Sequence, residues 1–222
     1  MSQSKAIRYA SVDLEAAGEN MHKHKTLSFA VAIFNSETGD LEDTFQVYIK
    51  PEAGEEIVWE QRCLDEFWHR TPEMMAIKEK LIEKIKTVGV PAKEAAIALH
   101  KWVRENRTPE FLESLVFYSD TNGFDVGRIN YLLNAADLMG LEYITGGYKS
   151  VFDSTSFHRG VGLKLPSDGY WGAESAAYAN LKVEQPRNPY SASHDSLDDA
   201  KSIGWDIVNI HRLIEQKRST GH

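Results

Sequence analysis

Near its start the chain alternates in the manner of a β-strand. From residue 6 to residue 15, Ile7, Tyr9, Ser11, Asp13 and Glu15 fall on one face, and Ala6, Arg8, Ala10, Val12 and Leu14 on the other. Side chains two apart in a strand point the same way, so Asp13 and Glu15 project together. Two neighbouring carboxylates on one strand repel each other unless a cation sits between them. Whatever fold the chain adopts must bring something positive to that face.

The next segments extend the strand into a meander. Lys25 to Phe34 is rich in apolar and β-branched residues, and Ser36-Glu37-Thr38-Gly39-Asp40 is a turn signal. Leu41 to Lys50 alternates around Phe45, Val47 and Ile49 and stops at Pro51. The pattern predicts strand, hairpin and strand, antiparallel beside the first strand.

Residues 57–107 read as helical. Ile57 to Trp68 carries a mixed apolar face. Thr71-Pro72-Glu73 is a helix start, with the hydroxyl as N-cap and proline in the first turn. Met74, Ile77, Leu81 and Ile85 form one stripe up to Lys86. Gly89 breaks the helix, and Pro91 reopens one to about Arg104, with Ile97 and Trp102 among its apolar residues. Leu115-Val116-Phe117-Tyr118 predicts a buried central strand, and a helix from Asp125 runs through Ile129, Leu132 and Leu133. Tyr143-Ile144 and Ser150-Val151-Phe152 are further strand candidates. Residues 160–193 are punctuated by glycine and proline and hold Tyr170, Trp171, Tyr178 and Tyr190, the composition of a functional loop. A last helix spans about 196–216, with Ala200, Ile203, Ile207 and Ile210 on one side and a frayed polar tail from Arg218 to His222. The expected fold is α/β, a mixed five-stranded sheet with helices on both faces. The 222 residues suit one domain, 1–222. The three carboxylate-bearing segments should meet at one edge of the sheet.

Charge and cysteine content narrow the function. A net charge of -8 argues against extended binding of long duplexes, which calls for a basic surface. It is compatible with an enzyme gripping a few terminal nucleotides around a metal-balanced carboxylate cluster. The single cysteine, Cys63, excludes an internal disulfide and a cysteine-based zinc cluster, and it points to a reducing cytoplasm. No signal peptide is legible at the N-terminus, and no apolar run reaches the ~20 residues that cross a bilayer, so no membrane partner is expected.

Five acid/base residues then stand out across three segments: Asp13 and Glu15, Asp125 after Phe124, and His194 and Asp199 where the last helix begins. Phosphodiester hydrolysis needs charge stabilisation on both the attacking and the leaving oxygen, which two hard cations supply. Magnesium and manganese favour carboxylate and water ligands, and a histidine can take the proton of the attacking water. The strand Asp-x-Glu, the helix-opening Phe-Asp and the His-x-x-x-x-Asp motif, in Val12-Asp13-Leu14-Glu15, Asn122-Gly123-Phe124-Asp125-Val126 and His194-Asp195-Ser196-Leu197-Asp198-Asp199-Ala200, resemble the DEDDh 3'-5' exonucleases of the RNase H-like superfamily. The branch they resemble includes phage-type exonuclease A and small bacterial exoribonucleases. Phe67-Trp68-His69-Arg70-Thr71-Pro72-Glu73 and Ser150-Val151-Phe152-Asp153-Ser154-Thr155 support that placement, with Phe152 where the family often has a basic residue.

The resemblance implies an RNase H-like sheet and two divalent cations, Mg2+ or Mn2+. Asp13 would bridge them, Glu15 and Asp199 would complete the first site, Asp125 would serve the second and His194 would be the general base. It further implies release of nucleoside 5'-monophosphates from the 3' end of single-stranded or 3'-overhanging RNA or DNA. Monomer and homodimer both stay open, as does RNA against DNA.

Blander readings stand beside each residue. Asp13 and Glu15 could be a solvated strand face, Asp125 a helix-start residue and His194 a plain loop histidine. Asp120, at the end of the predicted strand, competes with Asp125 for its metal. Asp195 reads as a cap and Asp198 as a solvated helix residue. His22 and His24 read as an exposed loop, Trp59, Trp68 and Trp102 as core, and Tyr170 and Trp171 as either packing or base stacking. The rival functions are an RNase H-like endonuclease, which would cut a closed circle, and a non-catalytic nucleic-acid-binding module.

Overall fold

The computed structural model describes residues 6–105, 107–121, 123–147, 151–154, 156, 173–190 and 193–220. Its centre is a five-stranded sheet. β1 (Arg8–Ala16), β2 (Thr26–Asn35) and β3 (Leu41–Tyr48) form the antiparallel meander, and β4 (Leu115–Ser119) and β5 (Val151–Asp153) add on the other side of β1, both in parallel register. The order is β3-β2-β1-β4-β5, a mixed sheet with β1 in the middle.

Helical segments follow the punctuation of the sequence. Gln61–Cys63 opens a short helix, α1, that continues as a π-helical turn over Leu64–Trp68. Residues 57–60, expected to be helical, are not. α2 (Pro72–Val88) starts where Thr71 accepts the Met74 N–H and ends at Gly89, and α3 (Ala92–Arg104) follows Pro91. α4 (Pro109–Ser114) is capped by Thr108, and α5 (Asp125–Ala135) follows β4. α6 (Ala173–Asn180) lies within the stretch expected to be irregular, and α7 (Ser196–Thr220) closes the described chain. Arg218, Ser219 and Thr220 belong to α7 rather than to a frayed tail.

The two faces of β1 explain the layers. Ala10, Val12 and Leu14 are buried with Phe29, Val31 and Ile33 of β2 against α3 and α5, which contribute Ala95, Leu99, Val103, Ile129 and Leu133. The other face carries a row of cross-strand pairs: Tyr9 with Phe34, Ser11 with Ala32, Asp13 with Ala30 and Glu15 with Ser28. Its small partners leave a trough, which α7 fills with Ala200, Ile207 and Val208. Gly204 is what lets α7 lie so close: a Cβ there would stand 2.5 Å from Ser11 Oγ and 2.7 Å from the Phe34 ring. A satellite core under the β1–β2 hairpin joins Leu27 and Ala17 to Trp68, Met74, Leu81 and Ile85.

One further local expectation differs from the structure. Tyr143-Ile144 is a turn, not a strand; Ile144 is buried while Tyr143 is half-exposed. On α3, Ala95, Ala96, Leu99 and Val103 form the buried stripe, and Ile97 faces solvent. Trp68 is fully buried as expected, with Trp59 and Trp102 partly so. Ser150, Thr155, Tyr170 and Trp171 lie outside the described residues. No helix among the described residues is long and apolar enough to cross a membrane.

Candidate active site

The carboxylates converge over the middle of the sheet, at the C-terminal end of β1 on the face covered by α7, and not at a sheet edge. Asp13 and Glu15 share that face with Ser11, whose hydroxyl donates to the Ala200 carbonyl of α7 at 2.5 Å. This bond and the close approach at Gly204 fix the start of α7 against β1 and so fix Asp199. The turn before α7 is tied to the meander as well. Asp195 accepts from Gln46 Nε2 at 2.7 Å and from the Tyr48 hydroxyl at 3.3 Å, and it caps the helix by accepting the Leu197 N–H at 3.0 Å. Ser196 donates to Ser28 across the trough at 3.2 Å. Asp195 is thus the cap the spacing predicted. Asp198 sits at the helix surface, accepting from Ser193 Oγ and facing Lys201.

Asp125 is brought in by β4 and the turn after it. It is 2 % exposed, and one of its oxygens accepts from Ser119 Oγ at 2.5 Å and Thr121 Oγ1 at 2.7 Å. One turn further along α5, Arg128 is completely buried. Its guanidinium lies over the Phe124 ring and donates to the carbonyls of Gly18 and His24, the latter at 2.9 Å. Arg128 therefore locks the loop that follows Glu15 to the helix that carries Asp125. Nothing in the sequence singled it out; an arginine inside an apolar helix stripe was the available signal.

Two groups of possible ligands result. Glu15, His194 and Asp199 each offer an atom within 4.8 Å of the others, and so do Asp13, Asp120 and Asp125. All five predicted residues are therefore brought together, and Asp120 joins them beside Asp125 rather than in its place. The histidine pair His22 and His24 takes no part. His24 Nδ1 contacts the Val58 carbonyl, and His22 packs edge-on against Tyr131. Asp153 accepts the Ser156 N–H and stays outside both groups.

The electrostatics are those of a cluster short of positive charge. Burial holds the Asp13 carboxyl well above the ordinary range, and the charges of Asp125, Glu15, Asp199 and Asp120 push it further. Glu15 is raised by burial, then by Asp199, Asp125 and Asp195. Asp125 is pushed up to about 7 by burial and by Asp120, against the pull of its two hydroxyl donors. Asp199 is pushed up to about 6 by burial, although the backbone N–H groups of Ser193 and His194 favour its charge. Asp13 Oδ2 is shut off from solvent without a hydrogen-bond partner. Such an atom is costly unless a proton or a cation meets it. The donor set, hard oxygens with one imidazole, fits a divalent cation of the magnesium or manganese kind.

His194 stands at the rim. Its backbone is left-handed, φ 54°, which costs a non-glycine residue roughly 1–2 kcal/mol. Its ring meets Phe67 edge-on at 4.8 Å, and Nδ1 lies 3.9 Å from Asp199 Oδ2. Burial lowers its proton affinity, which favours the neutral ring. On the other side of Phe67 a pocket of about 170 Å³ opens toward Phe124, bordered by Gly18, Arg62 and Cys63 and by Glu19, Glu60 and Glu66. The π-helical turn over Leu64–Trp68 is what presents Phe67 to both His194 and this pocket.

A family model described as the 3'-5' exoribonuclease Rv2179c-like domain matches residues 8–208. The chain belongs to the Rv2179c-like 3'-5' exoribonuclease domain family. As a family member it is a hydrolytic 3'-5' exonuclease, and each of its carboxylate motifs falls inside the matched span. Solved exonuclease structures share the fold. The nuclease domain of 3'hExo, a DEDDh family member bound to rAMP, is 17% identical with a TM-score of 0.52, over 97% of this chain and 95% of that one. A full-length 3'-exonuclease is 17% identical with a TM-score of 0.59, over 96% and 84%. The zinc-bound E. coli ExoI–ssDNA complex is 13% identical with a TM-score of 0.60, over 96% of this chain but 41% of ExoI. No curated protein sequence matches the chain.

Proposed function

We propose that this Rv2179c-like protein removes nucleoside 5'-monophosphates one at a time from the 3' end of single-stranded RNA, with Asp13, Glu15, Asp125 and Asp199 holding two divalent cations and His194 serving as general base. The observation that carries the reading is the unpartnered, enclosed Asp13 Oδ2 in a site where β1, the β4–α5 turn and the start of α7 supply two groups of possible ligands. When bound, the cations would neutralise the scissile phosphate and make the attacking water more acidic.

The chain's own residues do the rest. His194, neutral and beside Asp199, accepts the proton of the water whose oxygen attacks phosphorus. The bond from phosphorus to the 3' oxygen of the preceding nucleotide breaks, and that oxygen takes a proton from solvent, leaving a 5'-monophosphate and a shortened strand with a free 3' hydroxyl. The left-handed turn at His194 and the Phe67 contact hold the ring at the mouth of the site. Phe67 and Phe124 flank the slot that takes the terminal base, since aromatic faces bind single-stranded bases with little sequence preference. The rAMP bound to the 3'hExo nuclease domain and the exoribonuclease description of the family favour RNA; the ssDNA held by E. coli ExoI keeps DNA as the comparison arm.

The test is end-labelled single-stranded RNA and DNA of one sequence, with magnesium or manganese, beside Asp13→Ala. Ladder-like loss from the 3' end, RNA faster than DNA and none with Asp13→Ala, is expected. Cleavage of a closed circular RNA would assign an endonuclease instead, and tight RNA binding without cleavage in either metal would assign a binding module.

A further inference from the structure

We propose that Asp120 is a direct ligand of the cation held by Asp13 and Asp125, giving that position three carboxylates and letting it fill before any substrate arrives. The inference rests on the two-cation reading above and goes beyond its four carboxylates.

The geometry of Asp125 is the starting point. The oxygen that accepts from Ser119 and Thr121 at 2.5 and 2.7 Å has both lone pairs engaged, and the Asp125 carboxyl also hydrogen-bonds the Asp120 carboxyl through a proton that a cation would displace, so Asp125 has one oxygen to give. With Asp13, that makes two protein ligands, and a cation there would depend on a substrate phosphate for more. Asp120 changes the count. Its carboxylate, at the end of β4, lies within the same 4.8 Å set as Asp13 and Asp125. Octahedral ligands at ~2.1 Å from magnesium lie ~3.0 Å apart when adjacent and ~4.2 Å apart when opposite. At most one pair of the three can stand opposite, so a cation would draw the other pairs in from within 4.8 Å to ~3.0 Å, a movement of side-chain carboxylates and not of the backbone. The enclosed Asp13 Oδ2, with no donor to meet it, faces the same need.

Asp120 also has a structural role to be separated from ligation. Thr121 Oγ1 donates to Asp120 Oδ1 at 3.1 Å, which steadies the turn that leads to Asp125. Asp120→Asn keeps an oxygen to accept that bond and removes the charge and the second carboxylate oxygen. The variant thus tests the ligand and spares the turn.

The experiment is a manganese titration of substrate-free protein, followed by calorimetry and by the electron paramagnetic resonance of free Mn2+, for wild type, Asp120→Asn, Asp125→Asn, Asp199→Asn and Asp13→Ala. Wild type should bind two ions per chain. Asp120→Asn should weaken one of them about tenfold or more and leave the other unchanged, since even outer-shell partners of a metal are worth about 10–100-fold in affinity. Asp199→Asn should weaken the other. The metal-induced rise in thermal midpoint is read for each variant against its own metal-free midpoint, which removes any effect on folding, and Asp120→Ser repeats the measurement. An Asp120→Asn isotherm superimposable on wild type, while Asp125→Asn loses an ion, overturns the proposal and leaves the two-cation reading standing. So does a wild type that binds one ion without substrate and a second only with it. Unchanged binding in Asp13→Ala would remove both.

Discussion

Gly204→Ala is the sharpest probe of how the site is assembled. By helix propensity alone the change should stabilise α7 by up to about 1 kcal/mol. The packing says otherwise. The new methyl would stand 2.5 Å from Ser11 Oγ, where ordinary contact begins at 3.4 Å, so the helix must lift by about 0.9 Å or the β1–β2 floor must sink. Neither Ser11 nor Phe34 can swing aside, for Ser11 bonds Ala200 and Ala32 and both residues are fully buried. Overpacking of this kind costs about 1–3 kcal/mol. The net expectation is about 1–2 kcal/mol of destabilisation, a fall of roughly 2–8 °C in Tm for a chain of this size. The catalytic effect should exceed the stability effect. Asp199 lies five residues before Gly204 on the same helix, and a misplacement near 1 Å costs about a hundredfold in rate. Thermal unfolding, manganese titration and kcat/KM on a short RNA measure the three quantities. A variant with raised Tm and full activity would refute the account of why α7 sits where it does.

His194→Ala should lower kcat by about 10²–10⁴-fold while manganese binding holds; equal loss of both would make His194 a ligand instead. In a chelator, Asp199 and Asp125 keep protons up to about pH 6 and about pH 7, against 3.8 for an ordinary aspartate. Through them the folded chain binds more protons than the unfolded chain between about pH 4 and 7, so their contribution to metal-free stability falls as pH rises across that window. Tm measured against pH should show that fall, a shallower one in Asp199→Asn, and its reversal under saturating manganese. Thr71→Ala removes the acceptor for the Met74 N–H at the start of α2 and should cost about 1 kcal/mol in urea unfolding with little change in kcat, because the lost bond is local to the start of α2 and involves no carboxylate of the site.

What could be read from the sequence was whatever repeats at a fixed spacing or sits at a chain-reversing residue. The period-two pattern gave β1 and put Asp13 and Glu15 on one face; Thr71-Pro72 and Gly89 bounded α2; the ordered motifs put Asp125, His194 and Asp199 with them. What could not be read depends on distance between elements. Asp120 looked like a rival to Asp125 because a linear chain offers one aspartate or the other, whereas the turn after β4 folds both toward Asp13. Arg128 and Gly204 act across contacts of more than a hundred residues, and no local pattern announces them. Tyr143-Ile144 failed as a strand because its β-propensity had no neighbour to pair with, and Leu141 and Ile144 reach the core from a turn. On α3, Ala95, Ala96, Leu99 and Val103 recur at helical spacing on the face toward the sheet and α5, and Ile97 falls on the opposite face.

The dependence of the site on α7 has a consequence for synthesis of the protein. The segments bearing Asp13, Glu15 and Asp125 leave the ribosome well before the last helix of the described chain. A nascent polypeptide therefore acquires its scaffold early but lacks His194 and Asp199 until that helix docks in the trough. With the roles proposed for His194 and Asp199, a ribosome-bound chain halted before that helix should leave its own messenger uncut.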